Sequence, residues 1–301
     1  MLTCFLQDQI YSYLGNLQIS KVVIASSGSL WKEHRTFALN KLRSFGFGKR
    51  SIETNILQEV EELLKFIGEQ NSKAFDINDV LHACVSNVTC SIVFGKQFSH
   101  TDPAFLKILD MFQENLQVSH GAAVMTWMPF LKYLPYDFFK FKKTFGNIKT
   151  IESFLNTIID EHWKTYQDDN MRDYIDTFIA ERKRRGEDKA GTFTDYQLTR
   201  TILEFFLAGT ETTTATIRWA IVYLIRNPDI QTRMRKEIES LVGSSQLPRM
   251  QHRQELPYTE AVLTETQRCG DIVPLSLFHG VDKEVFLKDS EYHKTPSLHQ
   301  I

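Results

Sequence analysis

One stretch sets the scale of whatever this chain folds into. From Thr194, a cap residue, to Arg226, closed by Asn227-Pro228, the sequence reads as a single helix. About thirty residues at roughly 1.5 Å each span about 50 Å, enough to cross a whole domain. The rest of the 301 residues agrees with a helical architecture: 14 glycines and 8 prolines fall well below the roughly 12% of an average chain. A turn-rich sandwich or barrel needs more of both. The expected class is mainly α, with few and small sheets.

Several function classes drop out on composition. Thirty-five basic against 37 acidic residues leave a formal net charge of −2, so nothing in the overall charge points to nucleic acid. The four cysteines, Cys4, Cys84, Cys90 and Cys269, contain no Cys-x-x-Cys pair and are too sparse for a disulfide scaffold. The longest apolar clusters, such as Trp219 to Ile225, are far shorter than the ~20 residues of a membrane span. The first ten residues, interrupted by Gln7 and Asp8, read as neither a leader nor an anchor.

Further helices follow from spacing. Ile52, Ile56, Leu57, Val60, Leu63, Leu64 and Ile67 form a helical stripe from Ser51, the expected cap. Asp76 to Phe94 reads as a helix buried on most sides, ended by Gly95. Asp102-Pro103 opens another, with a cap and a proline at the first helical position. Gly121 to Pro135 reads as an apolar loop, 137–166 as a long helix, and Glu181 to Lys189 as a solvated charge run. Helices starting at Pro228 and Pro257 complete the series, the last running to Cys269.

Three local features stand out chemically. The first is Ala208-Gly209-Thr210-Glu211-Thr212-Thr213-Thr214 in the middle of the longest helix. Glycine and β-branched threonines are poor formers of a helix interior, costing up to ~1 kcal/mol. Small residues admit a flat ligand, and the Thr212 hydroxyl can bond back to the Ala208 carbonyl. A close helix crossing explains the same residues equally well. The second feature is Glu265-Thr266-Gln267-Arg268, an acid and a base on one helix face. The third is Trp31 and Arg35, four apart, which suit a carboxylate clamp or a guanidinium lying over an aromatic ring.

Together these features resemble one family, the cytochromes P-450 of the microsomal type. Ala208 to Thr213 resembles the family's oxygen-binding helix motif, Glu265 and Arg268 its Glu-x-x-Arg pair, and Trp31 and Arg35 its Trp-x-x-x-Arg helix. Leu42-Arg43-Ser44-Phe45-Gly46 through Glu53, and Arg226-Asn227-Pro228-Asp229, are similar to the same subgroup. The recognisable text runs from about residue 22 to 289, and residues 290–301 diverge. The whole chain is expected to be one partial domain of that fold.

The resemblance implies a haem-dependent monooxygenase that inserts one atom of O2 into a lipophilic small molecule. Electrons would come from NADPH through a reductase, with cytochrome b5 as a second donor and the endoplasmic reticulum membrane as location. Thr212 and Glu211 would act in proton delivery, while Ala208 and Gly209 would allow close approach to the haem face. Trp31, Arg35 and His279 would contact propionates, and Glu265 and Arg268 would be structural. The lysines and arginines Lys32, Arg35, Lys41, Arg43, Lys49 and Arg50 would steer an acidic redox partner, although a plain solvated face accounts for them as well. Substrate walls would come from 105–145, 201–208 and 272–277; ordinary core packing is the competing explanation for their aromatics.

One part of the pattern is missing. No Phe-x-x-Gly-x-Arg-x-Cys-x-Gly stretch occurs in the 301 residues, and no cysteine present matches the family's haem ligand. No metal ligand is therefore expected. This sets a second expectation beside the first: a catalytically inactive middle segment of such an enzyme, at most a helical binding or interaction module.

Overall fold

A computed structural model describes residues 23, 26–127, 140–186, 191–274, 285–287 and 290–292. In chain order the helices are α1 (Gly28–Ser44), α2 (Glu53–Glu69, after a 3-10 turn at Arg50–Ile52), α3 (Asn78–Val93), α4 (Pro103–Trp127) and α5 (Phe141–Thr165). They continue with α6 (Tyr174–Arg185), α7 (Asp195–Arg226), α8 (Pro228–Val242) and α9 (Pro257–Gly270), with a 3-10 turn at Met250–Glu255 before α9. The chain divides into two compact units, Leu2–Ile272 and one that includes Val273–Ile301. The second contains two short antiparallel strands, β1 (Val285–Leu287) and β2 (Ser290–Tyr292), with Phe286 opposite Glu291. Among the described residues no helix is long and apolar enough to cross a membrane.

Helix α7 is the spine. Its 32 residues start where expected, with the Thr194 hydroxyl accepting from the Gln197 amide. This satisfies one of the amides that a helix start leaves unpaired. The N-terminal half is core: Leu198, Ile202, Leu203, Phe206 and Leu207 are buried against α3, α4, α5 and α6. Phe112 of α4 stacks on Phe206 with ring centres 4.9 Å apart. Phe105, Ile108, Leu109 and Phe112 are all buried in this cluster, so these positions pack the core. The C-terminal half is different, leaving Trp219, Val222 and Ile225 exposed.

Four local readings change. Ser51 does not cap α2, whose first residue follows Ile52 with no side-chain cap; Ser51 sits in the 3-10 turn that precedes it. The apolar stripe of α2 is half covered, with Ile56, Leu64 and Ile67 exposed while Glu59 is buried. The helix is rolled so that a polar contact with α3 takes precedence over the stripe. The segment read as an apolar loop is helical as far as Trp127, because Gly121 alone, at about 1 kcal/mol, does not stop a helix; residues 128–135 lie outside the described residues. The charge run from Glu181 closes α6 as far as Arg185. There Glu181 accepts from both Arg184 and Arg185, which holds its carboxyl down to about 2. Arg185 also pairs with Glu33 of α1 at 2.7 Å.

Candidate functional site

The glycine- and threonine-rich turn lies where α3 meets α7, the most extensive helix pairing among the described residues. Two turns of α3 meet one turn of α7, so the helices cross here. The contacts run in order. His82 Nε2 is 2.5 Å from Glu211 Oε1, Ser86 Oγ donates to Thr210 Oγ1 at 3.4 Å, and a Cβ on Gly209 would lie 3.0 Å from Thr89 Oγ1. Gly209 thus serves the crossing itself. The room it leaves is taken by Thr89, not by an open surface above the helix.

Ala208 and Thr212, one turn apart, are half-buried. The Thr212 hydroxyl donates to the Ala208 carbonyl at 2.7 Å, and Thr216 repeats the pattern onto the Thr212 carbonyl at 2.8 Å. With its proton committed to Ala208, the Thr212 oxygen keeps its lone pairs to accept from a neighbouring donor. Glu211 is the ionisable group beside it, its side chain 26% exposed and so in contact with solvent. Thr214, buried on the following turn, has a hydroxyl with no hydrogen-bond partner among the described residues.

His82 is the residue that reading the sequence missed. It is 2% exposed and its Nδ1 has no partner among the described residues. A buried imidazole joined through one nitrogen to the carboxylate beside Thr212 is part of this site. The available signal was a histidine between Leu81 and Ala83 on a helix read as buried on most sides.

Trp31 and Arg35 are on α1. The Trp31 indole N–H donates to the Val23 carbonyl at 2.8 Å, so it is spent on the backbone and is not a carboxylate donor here. The Arg35 guanidinium lies 5.4 Å from the Trp31 ring centre, within cation–π range. Arg35 is exposed and pairs with no carboxylate among the described residues, so its donors face solvent. Lys32, Arg43 and Lys49 are exposed along the same region, and Lys41 leans over Phe37.

Glu265 and Arg268 pair with each other on α9 through two hydrogen bonds of 2.7 and 2.6 Å. The guanidinium holds the Glu265 carboxyl near 2. Both are well exposed, at 59% and 71%, so Arg268 is not a buried, partly satisfied cation. His279 lies outside the described residues.

Two of the described cysteines are held as thiols. Burial pushes Cys90 well above the usual range, and a hydrogen bond to the Glu265 carboxylate, at 3.4 Å, raises Cys269. Cys84 donates to the Glu59 carbonyl at 3.5 Å.

Comparison with known proteins matches the family "Cytochrome P450" over residues 5–294, wider than the 22–289 in which motifs are readable. Similar proteins include cytochrome P450 2B4 of Oryctolagus cuniculus, 34% identical over 93% of this chain and 58% of that protein. Cytochrome P450 2J2 of Homo sapiens is 36% identical over 85% of this chain and 51% of its own length. Cytochrome P450 2H2 of Gallus gallus is 37% identical, covering 93% and 58%. The chain therefore spans between half and three-fifths of the length of these relatives. The order of Trp31–Arg35, the α7 turn and Glu265–Arg268 along one helical framework has this origin: the chain belongs to the cytochrome P450 family.

Proposed function

We propose that this chain carries the oxygen side of a haem-dependent monooxygenase acting on a lipophilic small molecule. NADPH would supply electrons through a reductase, with cytochrome b5 as a second donor, at the endoplasmic reticulum membrane. The observation that supports this reading best is the α7 turn. There a half-buried threonine hydroxyl is fixed on the Ala208 carbonyl beside a carboxylate anchored by a buried histidine.

Arg35 would stand at the edge of a haem and Ala208 on one of its faces. Arg35, solvent-facing and without a carboxylate partner among the described residues, suits a propionate. Ala208, half-buried, carries only a methyl group there. Cys90 and Cys269, both held protonated, are poorly suited to ligate the haem iron. When bound, haem supplies the redox chemistry of oxygen activation. The chain's own contribution is the proton path. Glu211 takes protons from solvent, His82 fixes the orientation of its carboxylate, and the Thr212 oxygen accepts from a water that carries the proton inward. The basic face of α1 would steer an acidic redox partner by long-range charge.

A second reading is favoured by the thiols. With Cys90 and Cys269 held protonated and Cys84 bonded to Glu59, the 301-residue chain on its own has the properties of an inactive helical segment. One measurement separates the two. The purified chain is supplied with haem, reduced and treated with carbon monoxide. A red-shifted Soret band, the signature of thiolate ligation, supports the enzyme; haem lost on gel filtration supports the inactive segment.

A further inference from the structure

Away from the α7 turn, three donor side chains from three separate segments converge. Glu59 comes from α2, Cys84 from α3, and His100 from the loop before α4. His100 Nε2 is 2.7 Å from Glu59 Oε2, and Cys84 Sγ is 4.0 Å from His100 Nδ1. One ligand atom from each lies within 4.8 Å of the others.

The surroundings hold this group in place. Asn87, one turn beyond Cys84, donates to Glu59 Oε2 at 3.4 Å. Its amide also makes a two-way clasp with Phe98, donating to the carbonyl at 2.8 Å and accepting from the backbone N–H at 2.9 Å. That clasp fixes the loop bearing His100. Glu59 and Cys84 are buried while His100 is half-buried, so the cluster has one side open to solvent. No lysine or arginine pairs with Glu59 among the described residues. His100 already stands against it as a basic partner at 2.7 Å, and a divalent cation would take the place of the proton that the two share.

We propose that Glu59, Cys84 and His100 form a binding site for a borderline-soft divalent cation, with zinc the best match, and water completing a tetrahedron. Thiolate, imidazole and carboxylate form a zinc-type donor set, whereas magnesium and calcium take oxygen ligands. With Zn–S of about 2.3 Å and Zn–N of about 2.0 Å, two tetrahedral ligands stand a few tenths of an ångström closer than the present sulfur–nitrogen separation; because His100 meets Cys84 through Nδ1 and Glu59 through Nε2 and gives a metal one nitrogen, closure also turns its ring or the Glu59 carboxylate. Binding displaces two protons to solvent, the Cys84 thiol proton, breaking its hydrogen bond to the Glu59 carbonyl, and the proton held between His100 and Glu59. Asn87 then serves as the outer partner that orients a ligand.

The test uses the metal-stripped 301-residue chain titrated with cobalt(II) as a spectroscopic stand-in, followed by competition with zinc. The expected result is one ion per chain, with a thiolate-to-cobalt charge-transfer band and the intense visible bands of tetrahedral cobalt, displaced by zinc. Affinity should fall at least about tenfold in Cys84→Ser and in His100→Gln, and hold in Cys4→Ser and Cys269→Ser. Because Cys84 is buried, His100→Gln on the loop is the deciding variant, with far-UV circular dichroism confirming that it is folded. Absence of saturable binding overturns the proposal. So does binding that survives His100→Gln, or binding that is lost with Cys269.

Discussion

His82 and Glu211, 129 positions apart in sequence, meet through Nε2 and Oε1 at 2.5 Å where α3 crosses α7. A buried imidazole is thereby spent on holding a carboxylate that solvent can still reach. Removing Glu211 strands the buried His82 nitrogen, and a stranded buried polar group costs about 1–3 kcal/mol; removing His82 leaves Glu211 to solvent and costs less. His82→Phe and Glu211→Ala should each lower the urea midpoint, Glu211→Ala by more. The double variant should lose less than their sum, with a coupling of about 0.5–3 kcal/mol. Strict additivity would show that the contact carries no stability.

Gly209 faces Thr89 closely enough that a Cβ would sit 3.0 Å from its hydroxyl oxygen. In Gly209→Ala, helix propensity gains about 1 kcal/mol against this crowding, so the net change is small. Gly209→Val adds two methyls at the crossing and should destabilise by about 1–3 kcal/mol. Pairing it with Thr89→Ala should recover most of that loss. If the second substitution recovers nothing, the crossing is not what requires a glycine at 209.

Much of this was readable in the residues. The α7 boundaries, the Asp102 cap and the Thr212 back-bond follow from short-range rules, because each involves partners within four positions. What failed was long-range. Spacing shows that Trp31 and Arg35 share a face, but not that Val23 takes the indole N–H. It shows a stripe on α2, but not that Glu59, reaching Asn87 and His100, decides which face turns inward. His82 was missed because a single histidine on an apolar helix says nothing until its partner is in place.

His162 and Asp173 form a buried pair, Nε2 to Oδ2 at 2.8 Å. Burial works against the charge on His162, but the Asp173 hydrogen bond and charge, the Ile158 carbonyl and nearby Asp176 together raise it above its ordinary value. Arg172, also facing this group, is bound to Asp176. A raised histidine stabilises the fold fully below its unfolded value of about 6.5. That contribution is lost as pH climbs through the folded value. Asp173→Asn keeps an α6 cap but removes the charge. Thermal midpoints taken across neutral to alkaline pH should fall more steeply for the parent than for the variant. Parallel profiles would mean that His162 is not charged in the fold.

The exposed Glu265–Arg268 pair calls for the opposite expectation. Both side chains are solvent-facing, and pairs of this kind contribute little net stability. Arg268→Ala should leave the thermal midpoint of the 301-residue chain within experimental scatter, and the residual dependence should vanish at high salt. A clear drop would show that the arginine has structural partners beyond Glu265.

Thr212 separates a structural from a chemical role. Among the described residues its hydroxyl is bonded only to the Ala208 carbonyl one turn back, an arrangement that adds little to a helix and can weaken it slightly. Alanine is also the better helix former, by roughly half a kcal/mol. Thr212→Ala should therefore match or slightly exceed the parent in stability by urea unfolding. In haem-loaded protein the same change would remove the oxygen proposed to accept from a proton-carrying water. Reducing equivalents should then appear as peroxide instead of oxidised substrate, while Thr212→Ser, which keeps the hydroxyl, should stay coupled. A Thr212→Ala protein that is stable and still fully coupled would take Thr212 out of the proton path and leave Glu211 with no relay partner on α7.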